Sequence, residues 1–168
     1  HAPTFRHEMY AEYKGTRKPM AEELRQQVPV IKDVLRAMHI EVIEKAGLEA
    51  DDLLGTLSHR CEEKGMDVSI ISGDRDTLQL ATEHIKIRIP KTKQGKTEVE
   101  DYYAADVQER YGVTPKEFID VKALMGDTAD NIPGVPGVGE KTATKIIQQY
   151  QTIENAYELS LIHISEPT

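Results

Sequence analysis

Seven carboxylates fall into three groups, each at the edge of an expected element. Glu49, Asp51 and Asp52 open a helix, Asp74 and Asp76 follow a strand ending near Ile71, and Asp127 and Asp130 follow a helix ending near Met125. In an open α/β sheet the crevice beyond the strand C-termini is the usual binding place, and Asp74 and Asp76 belong to that edge. Bare carboxylates about 4 Å apart repel by about 4 kcal/mol at an effective dielectric of 20. Gathering several therefore calls for cations, and all-oxygen donors suit the hard ions Mg²⁺ or Mn²⁺. Two such ions about 3.5–4 Å apart stabilise the attacking and leaving oxygens of an in-line phosphoryl displacement. The six His and the single Cys61 show no spacing for a zinc site. Any one acid group alone reads as structural, because Asp and Glu favour helix N-termini and turns. The three together point to a hard-metal site.

Residues 132–143 are rich in Gly and Pro. Gly134 and Gly139 have the separation of a phosphate-binding P-loop, but Glu140 stands before Lys141-Thr142 and no apolar strand precedes the segment. A turn between two helices fits better, with Gly137 and Gly139 allowing close backbone approach. The second helix then starts near Glu140 with its free N–H groups available to a phosphate, as in a helix-hairpin-helix that holds a DNA backbone without reading bases; a plain helical hairpin is the other reading of the same residues.

The elements that must position these residues follow from periodicity. Leu24, Val28, Ile31, Val34, Leu35 and Met38 share a helical face over 22–38, and Pro29 inside it predicts a kink or a new helix start. Ile40 to Ile43 reads as a short strand. Ala50, Leu53, Leu54, Leu57 and Cys61 form an amphipathic helix over 49–64 that Gly65 caps. Val68 to Ile71 reads as a buried strand, Asp74 to Leu80 as a turn into a short helix, and Ile85, Ile87 and Ile89 as a half-buried strand. Gly95 turns a hairpin into 97–99. Helices are expected at 104–111, 115–125, 139–150 and 153–159, with Thr114-Pro115 and Thr152 as starts. The pattern predicts an α/β fold with a mostly parallel sheet flanked by helices, then a small helical part. The expected division is 1–100 for the α/β part, with an arch region at 1–38, and 101–159 for the helical part, with the hairpin at 126–147.

Composition sets the outer bounds. The chain has 168 residues, 29 Asp and Glu against 21 Lys and Arg, and a net charge of −8. No apolar run approaches the ~20 residues that span a bilayer, so no membrane partner is expected. One cysteine provides no internal disulfide and fits a reducing cytoplasm. A charge of −8 taken whole argues against nucleic acid. Setting aside the seven grouped acids, however, leaves the rest of the chain near balance with its 21 bases. Residues 1–18 are basic and aromatic, and 85–97 carry Lys86, Arg88, Lys91, Lys93 and Lys96 with no acid. The latter stretch either lies along a duplex or forms a solvated hairpin face. The chain begins at His1 without Met and reads as a piece of a longer protein. Residues 160–168 continue no earlier pattern, resemble translated sequencing-adapter read-through, and read as a non-native tail.

The ordered motifs Glu49-Ala50-Asp51-Asp52, Ser72-Gly73-Asp74-Arg75-Asp76, Gly126-Asp127-Thr128-Ala129-Asp130-Asn131 and Ile132 through Ala143 carry a family likeness. So do Phe5-Arg6-His7-Glu8 and Tyr13-Lys14-Gly15-Thr16-Arg17. From about residue 2 to 159 the chain resembles the 5′-nuclease domains found at the N-terminus of bacterial DNA polymerase I, members of the PIN-like flap-endonuclease superfamily. The resemblance implies a metal-dependent 5′-3′ exonuclease or flap endonuclease acting near the 5′ end of nicked, gapped or flapped DNA in replication and repair. It implies two Mg²⁺ or Mn²⁺ ions held by Glu49, Asp51, Asp74 and Asp76, with Asp52, Asp127 and Asp130 completing the second site. Lys14 and Arg17 would neutralise the scissile phosphate, and Arg6 would contact DNA. Tyr13 would stack on a base. Gly134, Gly137, Gly139, Lys141 and Thr142 would grip the duplex, with a place for K⁺ at the hairpin. A monomeric state and a cytoplasmic, nucleoid location also follow from the resemblance, and the whole protein either carries a linked polymerase domain or stands alone as a short nuclease. The family carries two further metal-binding Asp residues upstream of the segment matching His1, so this piece alone is expected to be weakly active or dead. The alternative reading is a structure-specific DNA-binding fragment without catalysis.

Overall fold

Ile85, Ile87 and Ile89 alternate with Lys86 and Arg88, and all three isoleucines are buried in strand β2 (Ile85–Lys93). In the computed structural model, which describes residues 3–93 and 95–165, strand β1 (Val68–Ile71) pairs parallel with β2, setting Val68 opposite Ile85 and Ile70 opposite Ile87. Gly95, at φ +78°, turns the chain into β3 (Lys96–Tyr102), and so tight a turn can only join antiparallel neighbours. The sheet of order β1-β2-β3 is therefore mixed, with its parallel part in β1 and β2.

Helix α1 (Phe5–Met9) has no counterpart in the sequence pattern, while α2 (Glu22–Ala37), α3 (Ala50–Glu62), α4 (Ala104–Tyr111), α5 (Pro115–Met125) and α6 (Glu140–Tyr150) form near their expected places, and α7 (Ile153–Ser165) starts where expected and runs past the expected end at 159. Thr114 accepts from the Glu117 N–H at 3.3 Å, and the Glu117 carboxylate accepts from the Thr114 N–H at 2.8 Å. With Pro115 in the first turn, this reciprocal cap starts α5. Gly65, at φ +75°, ends the α3 segment, and the Met66 N–H donates back to the Cys61 carbonyl. The Asn155 N–H donates to Thr152 Oγ1 at 3.1 Å, which opens α7.

One expectation is corrected. Residues 40–43 form no strand; they run irregularly, with Ile40 45% and Ile43 52% exposed. A β-branched run becomes a strand only beside a hydrogen-bonded neighbour, and periodicity cannot supply one. At Pro29, where a kink or a new helix start is expected, α2 runs on through the proline and no new helix begins. The proline costs the Arg25 carbonyl its helical donor, a loss one exposed turn tolerates.

The described chain forms two compact units. The second, Leu54–Thr128 with the chain from Pro133, holds the hydrophobic core: Ile70, Leu78, Ile85, Ile87, Val107, Phe118, Val121 and Ile147. This core runs without interruption from the sheet into α4, α5 and α6. The first unit, the residues up to Leu53 with Ala129–Ile132, buries Tyr13 and Thr4. It leaves Leu24, Val30, Ile31, Val34 and Met38 exposed along α2.

In the second unit the β2–β3 hairpin carries a pH-dependent contact. Glu100 accepts from Lys91 Nζ at 2.5 Å and from the Tyr102 hydroxyl at 2.6 Å, and the Lys91 bond, then the Tyr102 bond, draw its pKa down to about 2. A lowered carboxylate contributes stability above its ordinary value of 4.5 and loses it as pH falls through about 2. Between pH 4.5 and 2 the unfolding temperature is expected to fall more steeply for the unaltered protein than for Glu100→Gln. Parallel slopes in thermal melts would refute this.

Candidate functional site

Each unit holds its own carboxylate cluster, and in each a basic side chain lies among the acids. In the first unit α3 begins at Ala50, so Glu49 stands just before the helix, with Asp51 and Asp52 in its first turn. Asp52 accepts from the Glu49 N–H at 2.8 Å and takes both Arg6 guanidinium nitrogens, at 2.7 and 2.9 Å. This fork holds the Asp52 pKa below the usual carboxylate range and raises that of Arg6. Lys14 Nζ lies 2.8 Å from both Glu49 oxygens and 3.8 Å from Asp130 Oδ2, and Arg17 pairs with Asp130 Oδ1. Desolvation alone would lower the Lys14 pKa, but hydrogen bonds to Glu49 and Tyr13 outweigh it and leave it raised. Desolvation likewise opposes ionisation of Glu49, yet Lys14 and Tyr13 bring its pKa below the ordinary value. Lys14 reaches these acids from a left-handed backbone position, φ +55°, strained for a side-chain-bearing residue and fixed by its N–H bond to the Asp130 carbonyl at 2.8 Å. Lys14, Arg17, Glu49 and Asp51 line an open cleft of about 1060 Å³ in this unit.

In the second unit Asp74 caps the 3₁₀ helix Arg75–Leu80 by accepting from the Asp76 N–H at 2.9 Å. Lys122, from α5, lies 3.0 Å from Asp76 Oδ1 and 3.2 Å from Asp127 Oδ2. Burial pushes the Asp76 carboxyl up, Lys122 counters, and the charges of Asp74 and Asp127 add to the rise. Lys122 was not singled out in the sequence; it sits in the expected α5 pattern, and only its closeness to the Asp127 motif could have flagged it.

Among the described residues no three acidic, His or Cys side chains converge tightly enough, as they stand, to hold one ion. The donor chemistry nevertheless fits hard divalent cations. The acids offer only oxygen, and Lys14, Arg17 and Lys122 stand between or beside carboxylates as internal counter-ions.

Three expected contact residues stand differently from the sequence reading. Tyr13 is 5% exposed, with its hydroxyl 3.0 Å from Glu49 and 3.1 Å from Asp130, so its ring face is not open to a base. Desolvation, helped by the Glu49 bond, pushes its phenol up to about 12. The close backbone approach falls at Gly134, where an added Cβ would lie 2.2 Å from the Met125 carbonyl, whereas Gly137 and Gly139 face open space. Gly137 is instead required by its φ of +81°. Gly139 is the N-cap of α6, which sets Lys141 and Thr142 in that helix's first turn. The basic stretch 85–97 is also partly neutralised. β3 brings Asp101 to Arg88 at 2.9 Å and to Lys86 at 3.6 Å, and Glu100 to Lys91, because the turn at Gly95 sets those later acids opposite the bases.

Residues 1–112 match the family model for the N-terminal resolvase-like domain of 5′-3′ exonucleases, and 113–166 match the model for their C-terminal SAM fold. The chain belongs to the 5′-3′ exonuclease family. It is 51% identical over 152 residues to DNA polymerase I of Bacillus caldotenax, and 48% identical over 155 residues to DNA polymerase I of Bacillus subtilis strain 168. Those alignments take in 90% and 92% of this chain but 17% of each relative, so the chain spans about a sixth of their length. Among solved structures, the T5 D15 protein co-crystallized with metal ions superposes with a TM-score of 0.78 at 28% identity, covering 94% of this chain and 61% of that one. A complex of the bacteriophage T5 D15 flap endonuclease with DNA and metal ions gives a TM-score of 0.77 at 28% identity, covering 94% and 60%. No helix among the described residues is long and apolar enough to cross a membrane.

Proposed function

We propose that this chain is the 5′-nuclease part of a protein with a linked DNA polymerase domain. It would hydrolyse DNA phosphodiesters near the 5′ end of nicked, gapped or flapped strands, as in primer removal and repair, and act as a monomer in the bacterial cytoplasm. The observation that carries the reading is the pairing of each family acid motif with an internal base: Glu49 and Asp130 with Lys14, and Asp76 and Asp127 with Lys122. In the metal-loaded protein these all-oxygen acids would exchange their lysines for hard divalent cations. Glu49, Asp51, Asp52, Asp74, Asp76, Asp127 and Asp130 would hold two ions, Mg²⁺ or Mn²⁺. The chemistry such ions supply is activation of water and stabilisation of the oxygens that attack and leave phosphorus.

The chain's own residues do the rest. Lys14 and Arg17, once their acids are otherwise neutralised, are free to swing onto the scissile phosphate, where added positive charge favours the transition state. Arg6 is held by Asp52 in this arrangement and would contact DNA only on leaving it. The first N–H groups of α6, with Lys141 and Thr142 beside them, suit a backbone phosphate, and the turn through Gly134, Gly137 and Gly139 brings it close. K⁺ would be held by carbonyls of that turn.

The test is a 5′-flap DNA substrate incubated with the full-length protein that carries this segment. Cleavage in Mg²⁺ and its loss with EDTA are expected. Tight flap binding with no Mg²⁺-dependent cleavage would replace this reading with the non-catalytic DNA-binding one.

A further inference from the structure

We infer that Tyr13 is a positioning residue, whose hydroxyl holds Glu49 and Asp130 in register as metal-ligating carboxylates, and that its ring is not a base-stacking platform. The inference rests on the metal reading above. Three remote segments of the first unit meet at this one oxygen. It lies 3.0 Å from Glu49 Oε2 and 3.1 Å from Asp130 Oδ2. A phenol has one proton to donate, so the two acids share a single donor and are fixed relative to each other by it.

The surroundings lock the ring that carries this hydroxyl. The His7 ring meets it edge-on at 5.2 Å, and His7 is itself tied by Nδ1 to the Thr4 backbone at 3.1 Å. Lys14 Nζ sits 4.8 Å from the ring centroid. With a cation over the ring and 5% of the residue exposed, the ring is committed to packing.

The acids' oxygens have two kinds of partner, one neutral and one charged. The neutral hydroxyl takes Glu49 Oε2 and Asp130 Oδ2, while Lys14 reaches both Glu49 oxygens and Arg17 reaches Asp130 Oδ1. An incoming divalent ion competes by charge with the lysine and the arginine. It does not compete in that way with the phenol. A carboxylate oxygen accepts more than one bond at once, so the tyrosine can keep its hold while the charged partners are exchanged.

The experiment titrates Mn²⁺ alone into the ¹⁵N-labelled chain and follows paramagnetic broadening of backbone amides. In Tyr13→Phe, which keeps the ring and its contact with His7, Glu49 and Asp130 are expected to need about tenfold more Mn²⁺, the scale of one hydrogen bond to a charged group. The backbone amides of the core residues Ile87 and Val121 should keep their unaltered chemical shifts. Tyr13→Phe matching the unaltered chain at Glu49 and Asp130 would overturn the inference, as would displaced core amides in the variant, which mark a general loss of structure. Absence of broadening at both clusters in the unaltered chain would overturn the metal reading and this inference with it.

Discussion

Gly134→Ala is expected to lower the stability of this chain by about 3 kcal/mol, the upper end for overpacking, and its unfolding temperature by about 6–12 °C. A methyl group there would sit 2.2 Å from both the carbonyl carbon and the oxygen of Met125, and 2.5 Å from the Gly126 nitrogen. Those are backbone atoms at the end of α5, so no side chain can rotate aside. The same stretch is tied by the Val135 N–H, which donates to the Leu124 carbonyl at 2.8 Å. Relief therefore requires moving the chain away from α5, and α5 contributes Phe118 and Val121 to the core. Gly139→Ala is the control. Its Cβ meets nothing within 4 Å and its φ is −96°, so the cost should stay below about 1 kcal/mol. Equal melting temperatures for the two variants would show that the approach of residue 134 to the end of α5 is not tight.

That glycine marks the boundary of what the sequence can show. The need for glycine near 134–139 was legible, but which one meets another segment depends on where residue 125 lies. The same holds throughout. The alternation of Ile85, Ile87 and Ile89 carries its own evidence, because period two and β-branching are local, and so does the Thr114-Pro115 cap of α5. Ile40–Ile43 has the same local look and fails as a strand, because a strand also needs a partner. Among the site residues the acids were legible from spacing at element edges. Their partners were not: the counter-ion Lys122 is separated from Asp76 by 46 positions and Arg6 from Asp52 by as many, and the neutral Tyr13 hydroxyl meets Asp130 across 117. Charge pairing at such separations is set by packing, and a sequence shows only that both signs are present. The basic stretch 85–97 reads as unopposed for the same reason, since acidic partners of Lys86, Arg88 and Lys91 lie just beyond it and the hairpin folds them back.

Asp74→Asn should cut Mg²⁺-dependent flap cleavage by the full-length protein on the order of 100-fold or more, while leaving the fold as stable as before or slightly more so. Asp74 has two separable roles. Its carboxylate caps the 3₁₀ helix by accepting from the Asp76 N–H at 2.9 Å, and its backbone is held by Ser72 Oγ at 3.0 Å and by the Thr77 hydroxyl at 2.6 Å. An asparagine oxygen can accept the same bond, and Asn and Asp are about equal as caps. The substitution therefore removes the charge and keeps the cap. Removing the charge also relieves Asp76, whose carboxyl is pushed up first by burial and then by the negative charges of Asp74 and Asp127. Stability and activity should thus move apart. Asp74→Ala should lose both, with about 1 kcal/mol of stability going with the cap. If Asp74 were only a capping residue, the pattern would invert: Asp74→Asn would cleave at the unaltered rate, and only Asp74→Ala would show a defect, in its melting curve. Cleavage rates and thermal melts of the two variants, measured together, decide between a cap that happens to be acidic and an acid placed by its cap.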